Sequence, residues 1–343
     1  MDGLQTGLAL ELAPTRDSFD AAAIPGFRAA LQAAYRRLTA AERLEASQQS
    51  QSLRWHSRAC PLCASQAGEP VAGTGEDVVR CRCCHLLYRD RIPEDDQSRL
   101  RFGETEAMAA FHALKSEPLY AQLEARKSRY VLSRLLEHAG TGGRRLRLLE
   151  IGASSGVLLR AAAERGCVAL GLEPNPGFAQ EARALGGNVV EGFFPDALPD
   201  QARFDLIISM DVLEYIEDPV DSLVRMGRHL APGGRIAVQV PNAAHPLVAL
   251  QGARSPIYKP GHITFFEMET LITAGYLAGF KAVHAETYIS EVDRLLSWPD
   301  EALWPALHAQ GWTPRDRAEI TAEALFARDL GYKLFVVFGR PGE

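Results

Sequence analysis

The sequence has no long apolar run, no basic leader and no low-complexity tract. No apolar stretch reaches the ~18 residues of a membrane-spanning helix, so we expect no membrane span. The opening residues, MDGLQTGLALELAPTRD, carry acids where an export signal carries basic residues, which predicts a cytoplasmic protein. With 47% hydrophobic residues over 343 positions, the chain can bury a sizeable core.

An excess of positive charge is also missing, because the formal net charge is −6. Proteins that hold nucleic acid over a broad surface neutralise phosphates with lysine and arginine, so this balance argues against such a surface. One local cluster is basic, and we interpret it mainly as a charged helix face: Arg126, Lys127, Arg129, Arg134, Arg144, Arg145 and Arg147.

Cysteine is scarce outside one short segment. Five of the six cysteines lie between Cys60 and Cys84, and the sixth, Cys167, is expected to be a buried core thiol. In a reducing compartment, clustered cysteines favour a metal site over disulfides.

Four of the clustered cysteines have the spacing C-x2-C-x17-C-x2-C: Cys60, Cys63, Cys81 and Cys84. This spacing predicts a tetrahedral zinc site, and the zinc should be structural because the protein fills all four positions. Cys83 and His85 remain alternative ligands. Iron of the rubredoxin type is the lesser alternative metal, since it takes the same ligand set.

The chain divides into four predicted segments. These are an N-terminal helical arm (1–55), a zinc-knuckle module (56–95), a helical lead-in (96–147) and the main domain (148–343) with an insertion over 291–330. The arm carries an apolar stripe at helical spacing, which suits packing, a homodimer contact or a partner protein at residues 19–50. The stripe consists of Phe27, Leu31, Tyr35 and Leu38.

From RLRLLEIG onward, apolar strands alternate with amphipathic helices. This alternation predicts an α/β fold with a doubly wound, mostly parallel sheet of seven strands, buried on both faces. Ligands of such sheets bind outside the carboxyl ends of the strands. The last run, YKLFVVFGR, is expected to be an antiparallel edge strand.

The stretch LLEIGASSG places a glycine loop directly after the first strong strand. Gly152 and Gly156 allow a ligand to approach the backbone closely. The dinucleotide pattern G-x-G-x-x-G is absent, because Ser154 and Val157 stand where it needs glycine, and the phosphate loop is absent too. Glu150 beside the loop would repel a pyrophosphate and would suit a cationic group.

Glu173 ends the next strand, in GLEP, 17 residues after Gly156. A carboxylate at this strand tip can accept both hydroxyls of a ribose. Together with Glu150, it predicts a nucleoside with a cationic tail and no phosphates, a description that S-adenosylmethionine (SAM) fits better than NAD does.

These stretches, with FDLIISMDVLEYIEDP, LAPGGRIAVQVPN and GHITFFEMETLITAGYLAGF, resemble the class I SAM-dependent methyltransferases over roughly Leu148 to Phe280. The resemblance implies a Rossmann-like methyltransferase domain. It also implies a set of cofactor-binding residues: Glu150, Gly152, Ala153 and Gly156 at the methionine part, Glu173 at the ribose, Gly192 and Phe193 at the adenine, and Met210 and Asp211 on the far side. Two positions depart from many relatives, since Ser154 replaces a glycine and Tyr215 a histidine.

Methyl transfer is an in-line displacement, so the protein must mainly align the acceptor with the methyl group. Oxygen and carbon acceptors also need a base to remove a proton. The family's H-x-x-F segment is matched at His262, the first candidate base, and His245 is the weaker candidate. Tyr258 and Lys259 are placed to orient an anionic acceptor.

The sequence therefore predicts a SAM-dependent methyltransferase that acts on a small-molecule acceptor, with oxygen first and carbon second. Small-molecule enzymes of sugar and natural-product type resemble it most, because they carry a zinc knuckle followed by residues such as CCHLLYRD. Two alternatives remain: an RNA methyltransferase that grips its substrate with the knuckle, and a non-catalytic scaffold subunit that binds a partner enzyme.

Overall fold

The structure is a computed structural model that describes residue 16 and residues 27–49, 53–74, 77–94, 102–103, 105–140 and 144–343. Its helices are α1 (Phe27–Gln49), α2 (Glu106–Lys115), α3 (Pro118–Glu137), α4 (Val157–Glu164), α5 (Pro176–Ala184), α6 (Pro219–Arg228), α7 (Pro246–Gln251), α8 (Met268–Leu277), α9 (Val292–Leu296), α10 (Asp300–His308) and α11 (Ala322–Phe326). Its strands are β1 (Trp55–Ser57), β2 (Gly68–Pro70), β3 (Val78–Cys81), β4 (Leu87–Arg89), β5 (Arg91–Pro93), β6 (Arg147–Ile151), β7 (Val168–Glu173), β8 (Val189–Glu191), β9 (Phe204–Met210), β10 (Leu230–Pro241), β11 (Thr264–Phe265), β12 (Lys281–Tyr288) and β13 (Lys333–Gly339). Among the described residues, no helix is long and apolar enough to cross a membrane.

One sheet of seven strands organises the main domain, in the order β12-β13-β10-β9-β6-β7-β8. Five strands that are adjacent in this order run parallel to one another: β10, β9, β6, β7 and β8. This confirms the predicted mostly parallel, doubly wound sheet. Two apolar layers flank it, with α6 and α8 on one face and α3, α4 and α5 on the other, so a central strand such as β9 is buried almost along its whole length.

The prediction that the last strand lies at the edge is wrong. β13 lies between β10 and β12 and is antiparallel to both. Phe335 and Phe338 of β13 are fully buried on opposite faces of the sheet. A strand covered on both faces has an apolar composition wherever it sits, so the residue pattern does not report which neighbours it pairs with.

The segment around the cysteines shares a sheet with the main domain. β1 pairs with β5, while β2, β3 and β4 form an antiparallel sheet whose fourth strand is β11. Because β11 comes from the middle of the main domain, main-chain hydrogen bonds between β4 and β11 join the cysteine-bearing part to that domain. The sequence pattern divides the chain into modules here and does not show this pairing.

Helix α1 packs on α2 and α3. Leu31 and Leu38 of the predicted apolar stripe are buried against Leu114, and the ring of Tyr35 meets that of Tyr120 edge-on, with centroids 6.2 Å apart. Apart from Arg16, the predicted arm before α1 lies outside the described residues, as do residues 50–52. Most of the described stripe is therefore used within the chain.

The predicted insertion forms its own apolar cluster. Leu295, Leu303 and Trp312 pack with Leu247 of α7, the helix that follows β10. The insertion thus rests on a helix at the end of the sheet.

Candidate active site

The loop between β6 and α4 has the backbone that its glycines predict. Gly152 and Gly156 have φ of +78° and +76°, in the left-handed region, and Ser154 also has a positive φ of +47°. A Cβ at Gly152 would lie 2.6 Å from Cγ2 of Val212, and one at Gly156 would lie 2.9 Å from Cβ of Ala182. Both glycines are therefore required by conformation and by close approach.

Glu150, near the end of β6, is buried, and its Oε2 has no hydrogen-bond partner among the residues that the structure describes. Burial raises the pKa of this carboxyl well above its ordinary value, although Lys115 opposes the shift. A buried acceptor without a partner is costly, so this position suits a ligand that brings a donor or a positive charge.

Glu173, at the end of β7, ties two loops together. Its Oε2 accepts the N–H of Ser154 (2.7 Å), and its Oε1 accepts the N–H of Asn175 (2.8 Å). A carboxylate has about four lone-pair sites, so each oxygen can take one further donor, such as a ribose hydroxyl. The N–H of Gly192 donates to the main-chain carbonyl of Glu173 (3.0 Å), which brings the end of β8 to the same place.

Aromatic rings cover this edge of the sheet. The ring of Phe102, from the lead-in, lies 6.0 Å from that of Phe193 and 5.6 Å from that of Tyr215, both edge-on. Asn175 Nδ2 donates to the Phe102 carbonyl (3.0 Å) and holds it in place. Sequence reasoning found Phe193 but missed Phe102, whose position depends on contacts distant in the chain.

The chain has five lysines among its 37 basic residues, and four of them lie at this edge: Lys115, Lys127, Lys259 and Lys333. Lys333 Nζ donates to Asp211 at 2.6 Å. Burial opposes ionisation of Asp211, but Lys333 and Lys127 outweigh it and hold its pKa below the ordinary value. No sequence signal brings these lysines together, because they lie on separate elements far apart in the chain.

Lys127 also pairs with Glu124, at 2.9 Å, within α3. Burial again opposes ionisation, yet Lys127 and Lys115 lower the pKa of Glu124 to about 2. Lys127 of the predicted basic cluster is thus buried in ion pairs, and Arg144, which is exposed, pairs with Asp205.

His262 and Glu214 face each other in a buried position. Ile257 O lies 2.9 Å from His262 Nδ1; a carbonyl only accepts, so Nδ1 carries the hydrogen and Nε2 is left as an acceptor. Nε2 lies 3.9 Å from Glu214 Oε1. The ring of Tyr215 stands edge-on to the imidazole at 4.6 Å.

Both members of this pair have shifted pKa values. Burial, assisted by Lys259, lowers the pKa of His262 well below its ordinary value. Burial, assisted by the charge of Asp211, raises the pKa of Glu214 to about 8, and neither of its carboxyl oxygens has a hydrogen-bond partner in the described part of the chain. Sequence reasoning singled out His262 and missed Glu214.

His245 does not fit the role of weaker candidate base. Its Nδ1 accepts the N–H of Leu247 (3.1 Å) as the cap of α7, and its Nε2 donates to the carbonyl of Ser290 (3.0 Å). Both ring nitrogens are engaged, and burial lowers its pKa to about 3. His245 is a structural cap.

The four predicted metal ligands converge. The Sγ atoms of Cys60, Cys63, Cys81 and Cys84 all lie within 4.8 Å of one another. Cys83 is exposed, and its N–H donates to Cys81 Sγ (3.4 Å). Neither alternative ligand, Cys83 or His85, belongs to the group found in the described part of the chain. Cys167 is buried in the core.

Residues 123–285 match the family model of a methyltransferase domain. The ubiquinone biosynthesis O-methyltransferase of Mesorhizobium japonicum is 27% identical over 169 residues, which are 44% of this chain and 68% of the relative. The similar solved structures include a SAM-dependent methyltransferase of Archaeoglobus fulgidus, with 18% identity, coverage of 66% of this chain and 98% of that one, and a TM-score of 0.48. They also include a magnesium protoporphyrin IX methyltransferase of Synechocystis with bound S-adenosylhomocysteine, with 12% identity, coverage of 72% of this chain and 100% of that one, and a TM-score of 0.48. The matched region contains the whole glycine loop and both acidic strand tips, so this part of the chain is a methyltransferase domain.

Proposed function

We propose that this protein transfers the methyl group of SAM to a hydroxyl group of a small-molecule acceptor. The observation that carries the proposal is the buried pair of Glu214 and His262. Both carboxyl oxygens of Glu214 lack a hydrogen-bond partner among the described residues, and Oε1 lies 3.9 Å from Nε2 of His262. A hydroxyl must lose a proton during methylation, and such a pair can receive it.

The cofactor residues fit SAM. Glu150 supplies the buried acceptor for the positive methionine end, while Gly152, Ala153 and Gly156 allow its close approach. Glu173 has lone pairs left for the ribose. The remaining proposed contacts are Gly192 and Phe193 at the adenine and Met210 and Asp211 on the far side. When bound, SAM supplies a methyl group on a sulfonium.

On the acceptor side, His262 is the proposed proton acceptor. Its bond to the Ile257 carbonyl keeps the hydrogen on Nδ1, so Nε2 faces the site ready to take a proton. Glu214, once ionised, stabilises the imidazolium that forms. Because the pKa of Glu214 is about 8, we expect activity to rise as the pH passes through that value.

The lysines support an acceptor with an anionic group. Lys259 lies with its Nζ 5.7 Å from the centre of the Tyr215 ring, beside His262, and its ion pair with Glu42 is long, at 3.6 Å. An anionic group on the acceptor would gain a charge-assisted hydrogen bond there.

We also propose that the four cysteines hold one structural zinc ion. A tetrahedral zinc with bonds of about 2.3 Å separates its sulfurs by about 3.8 Å. The pairs Cys60–Cys84 and Cys63–Cys81 have Sγ atoms 3.4 and 3.5 Å apart, close to that arrangement. The protein fills all four ligand positions, so the zinc would not activate water.

The test has two stages. Titration calorimetry with S-adenosylhomocysteine should show micromolar binding, and its absence in a folded, zinc-loaded protein would contradict the proposal. Release of S-adenosylhomocysteine is then measured over a panel of phenols, catechols and sugars, each paired with the amine that replaces its reacting hydroxyl. Turnover of the amines in preference to the hydroxyls would rule out the oxygen acceptor.

A further inference from the structure

We infer that the cysteine module (residues 55–93) positions the acceptor side of the active site. Two of its arginines, Arg58 and Arg89, hold the segment that carries His262, here called the acceptor segment (residues 257–265). The functional meaning of this contact rests on the proposed role of His262, whereas the contact itself does not.

Arg89, on β4, donates hydrogen bonds to main-chain carbonyls before, at and after His262. Its Nε donates to the carbonyl of His262 (2.9 Å), and its Nη2 donates to the carbonyl of Tyr258 (3.0 Å). Its own N–H donates to the carbonyl of Ile263 (2.9 Å), and Asp77 accepts from Nη1 (2.5 Å). All the hydrogen bonds that Arg89 donates to the acceptor segment are to carbonyls, so Arg89 fixes the path of its backbone.

Arg58 lies two residues before Cys60 and joins both halves of the proton-accepting pair. Its Nη2 donates to the carbonyl of Ile263 (2.5 Å), and its Nη1 donates to the carbonyl of Glu217, at the end of the turn that carries Glu214 (2.8 Å). The N–H of Ile263 in turn donates to the carbonyl of Glu214 (2.9 Å).

The pairing of β11 with β4 also holds the acceptor segment. Thr264 and Phe265 of β11, which begins two residues after His262, pair with Tyr88 and Leu87 of β4. The proposed cofactor residues are held differently, because Glu150 and Glu173 end strands that pair inside the seven-stranded sheet.

The cysteines lie at two turns, one directly after Arg58 and the other directly before β4, the strand that carries Arg89. Cys60 and Cys63 lie at the two ends of the turn that follows Arg58. Cys81, the last residue of β3, and Cys84 lie at the two ends of the turn between β3 and β4. A metal that joins the two turns therefore also sets the spacing of Arg58 and Arg89. Its removal should free the acceptor segment and leave the cofactor side in place.

The test compares Arg89→Gln with Arg91→Gln, an exposed arginine on β5 of the same module. Amide hydrogen exchange is followed by mass spectrometry on the full-length, zinc-loaded proteins, in peptides covering 257–265 and 148–160. We expect Arg89→Gln to speed exchange in 257–265 at least tenfold, with peptide 148–160 and S-adenosylhomocysteine affinity unchanged. Arg91→Gln should match the wild type.

A second readout reports on His262 itself. The carbon-bound proton of its imidazole, followed by NMR, should titrate closer to the ordinary histidine pKa in Arg89→Gln, because the segment gains solvent. A protein stripped of metal by a chelator should show both effects, and readdition of zinc should reverse them. If the glutamine variant folds poorly, Arg89→Lys serves instead, because it keeps the charge and loses the forked guanidinium donors. Its exchange rate in 257–265 should lie between those of the wild type and Arg89→Gln.

Unchanged exchange in 257–265, at equal zinc content, would overturn the inference. So would an equal acceleration in 148–160, which indicates general loosening. Failure of the wild type to bind S-adenosylhomocysteine would instead count against the proposed function, since the exchange result does not depend on cofactor or acceptor.

Discussion

Glu173 and Glu191 sit opposite each other on the neighbouring strands β7 and β8, but only Glu173 is buried. Replacing Glu173 by Gln removes a charged acceptor from the proposed ribose contact. Hydrogen bonds to charged groups contribute about 1.5–3 kcal/mol, so we expect affinity for S-adenosylhomocysteine to fall about 10- to 100-fold by calorimetry. Glu191→Gln is the matched control and should bind like the wild type. Equal losses in the two variants would contradict the ribose contact.

Glu214 gives the protein a pH dependence of stability. Between the unfolded value of 4.5 and the folded pKa of about 8, the folded chain keeps a proton that the unfolded chain has released. The free energy of unfolding from this group therefore decreases as the pH rises from about 5 to 8. Glu214→Gln should have a flatter curve of melting temperature against pH, measured by scanning fluorimetry. Parallel curves for the variant and the wild type would show that Glu214 is ionised throughout.

At the scale of elements, the glycines on either side of α4 should differ in the stability that a change to alanine costs. Gly156 and Gly166 both have positive φ, but a Cβ at Gly166 would meet no atom within 4 Å, whereas one at Gly156 would meet Ala182. Gly166→Ala should therefore lose only the conformational term, about 1 kcal/mol. Gly156→Ala should lose about 1–3 kcal/mol more in urea unfolding, because α4 and α5 are forced apart.

The same pair of variants tests the loop as a binding element. The displacement of α4 should weaken S-adenosylhomocysteine binding in Gly156→Ala and leave it intact in Gly166→Ala. An equal loss of stability in the two variants would mean that close helix contact at Gly156 is not what the loop requires.

At the scale of the whole molecule, α1 supports two helices that carry lysines of the candidate active site. It packs on α2 and α3, the helices that carry Lys115 and Lys127. Leu31→Ala should cost about 2–5 kcal/mol of unfolding free energy, because it empties a buried position, while Leu44→Ala, at a side chain 47% exposed, should change it little. Chemical unfolding checks both. A similar small effect for the two would show that α1 is not anchored by its apolar stripe.

The sequence by itself determined the parts of the site that depend on neighbours in the chain. The glycines at 152 and 156, the acids at the two strand tips and the spacing of the four cysteines each follow from residues a few positions apart, because loop conformation and knuckle geometry are local. The alternation of strands and helices predicted the seven-stranded sheet for the same reason, since burial on two faces leaves a regular mark on composition.

The tertiary structure alone decided what meets across long distances. It placed β13 inside the sheet, paired β11 with β4 and gathered Lys127, Lys259 and Lys333 from separate elements around Asp211 and Tyr215. It also showed that both ring nitrogens of His245 are hydrogen-bonded, whereas His262 holds its hydrogen on Nδ1 and turns Nε2 toward Glu214. Such contacts are chosen by the packing of the whole chain, and residues far apart in sequence carry no local pattern that announces them.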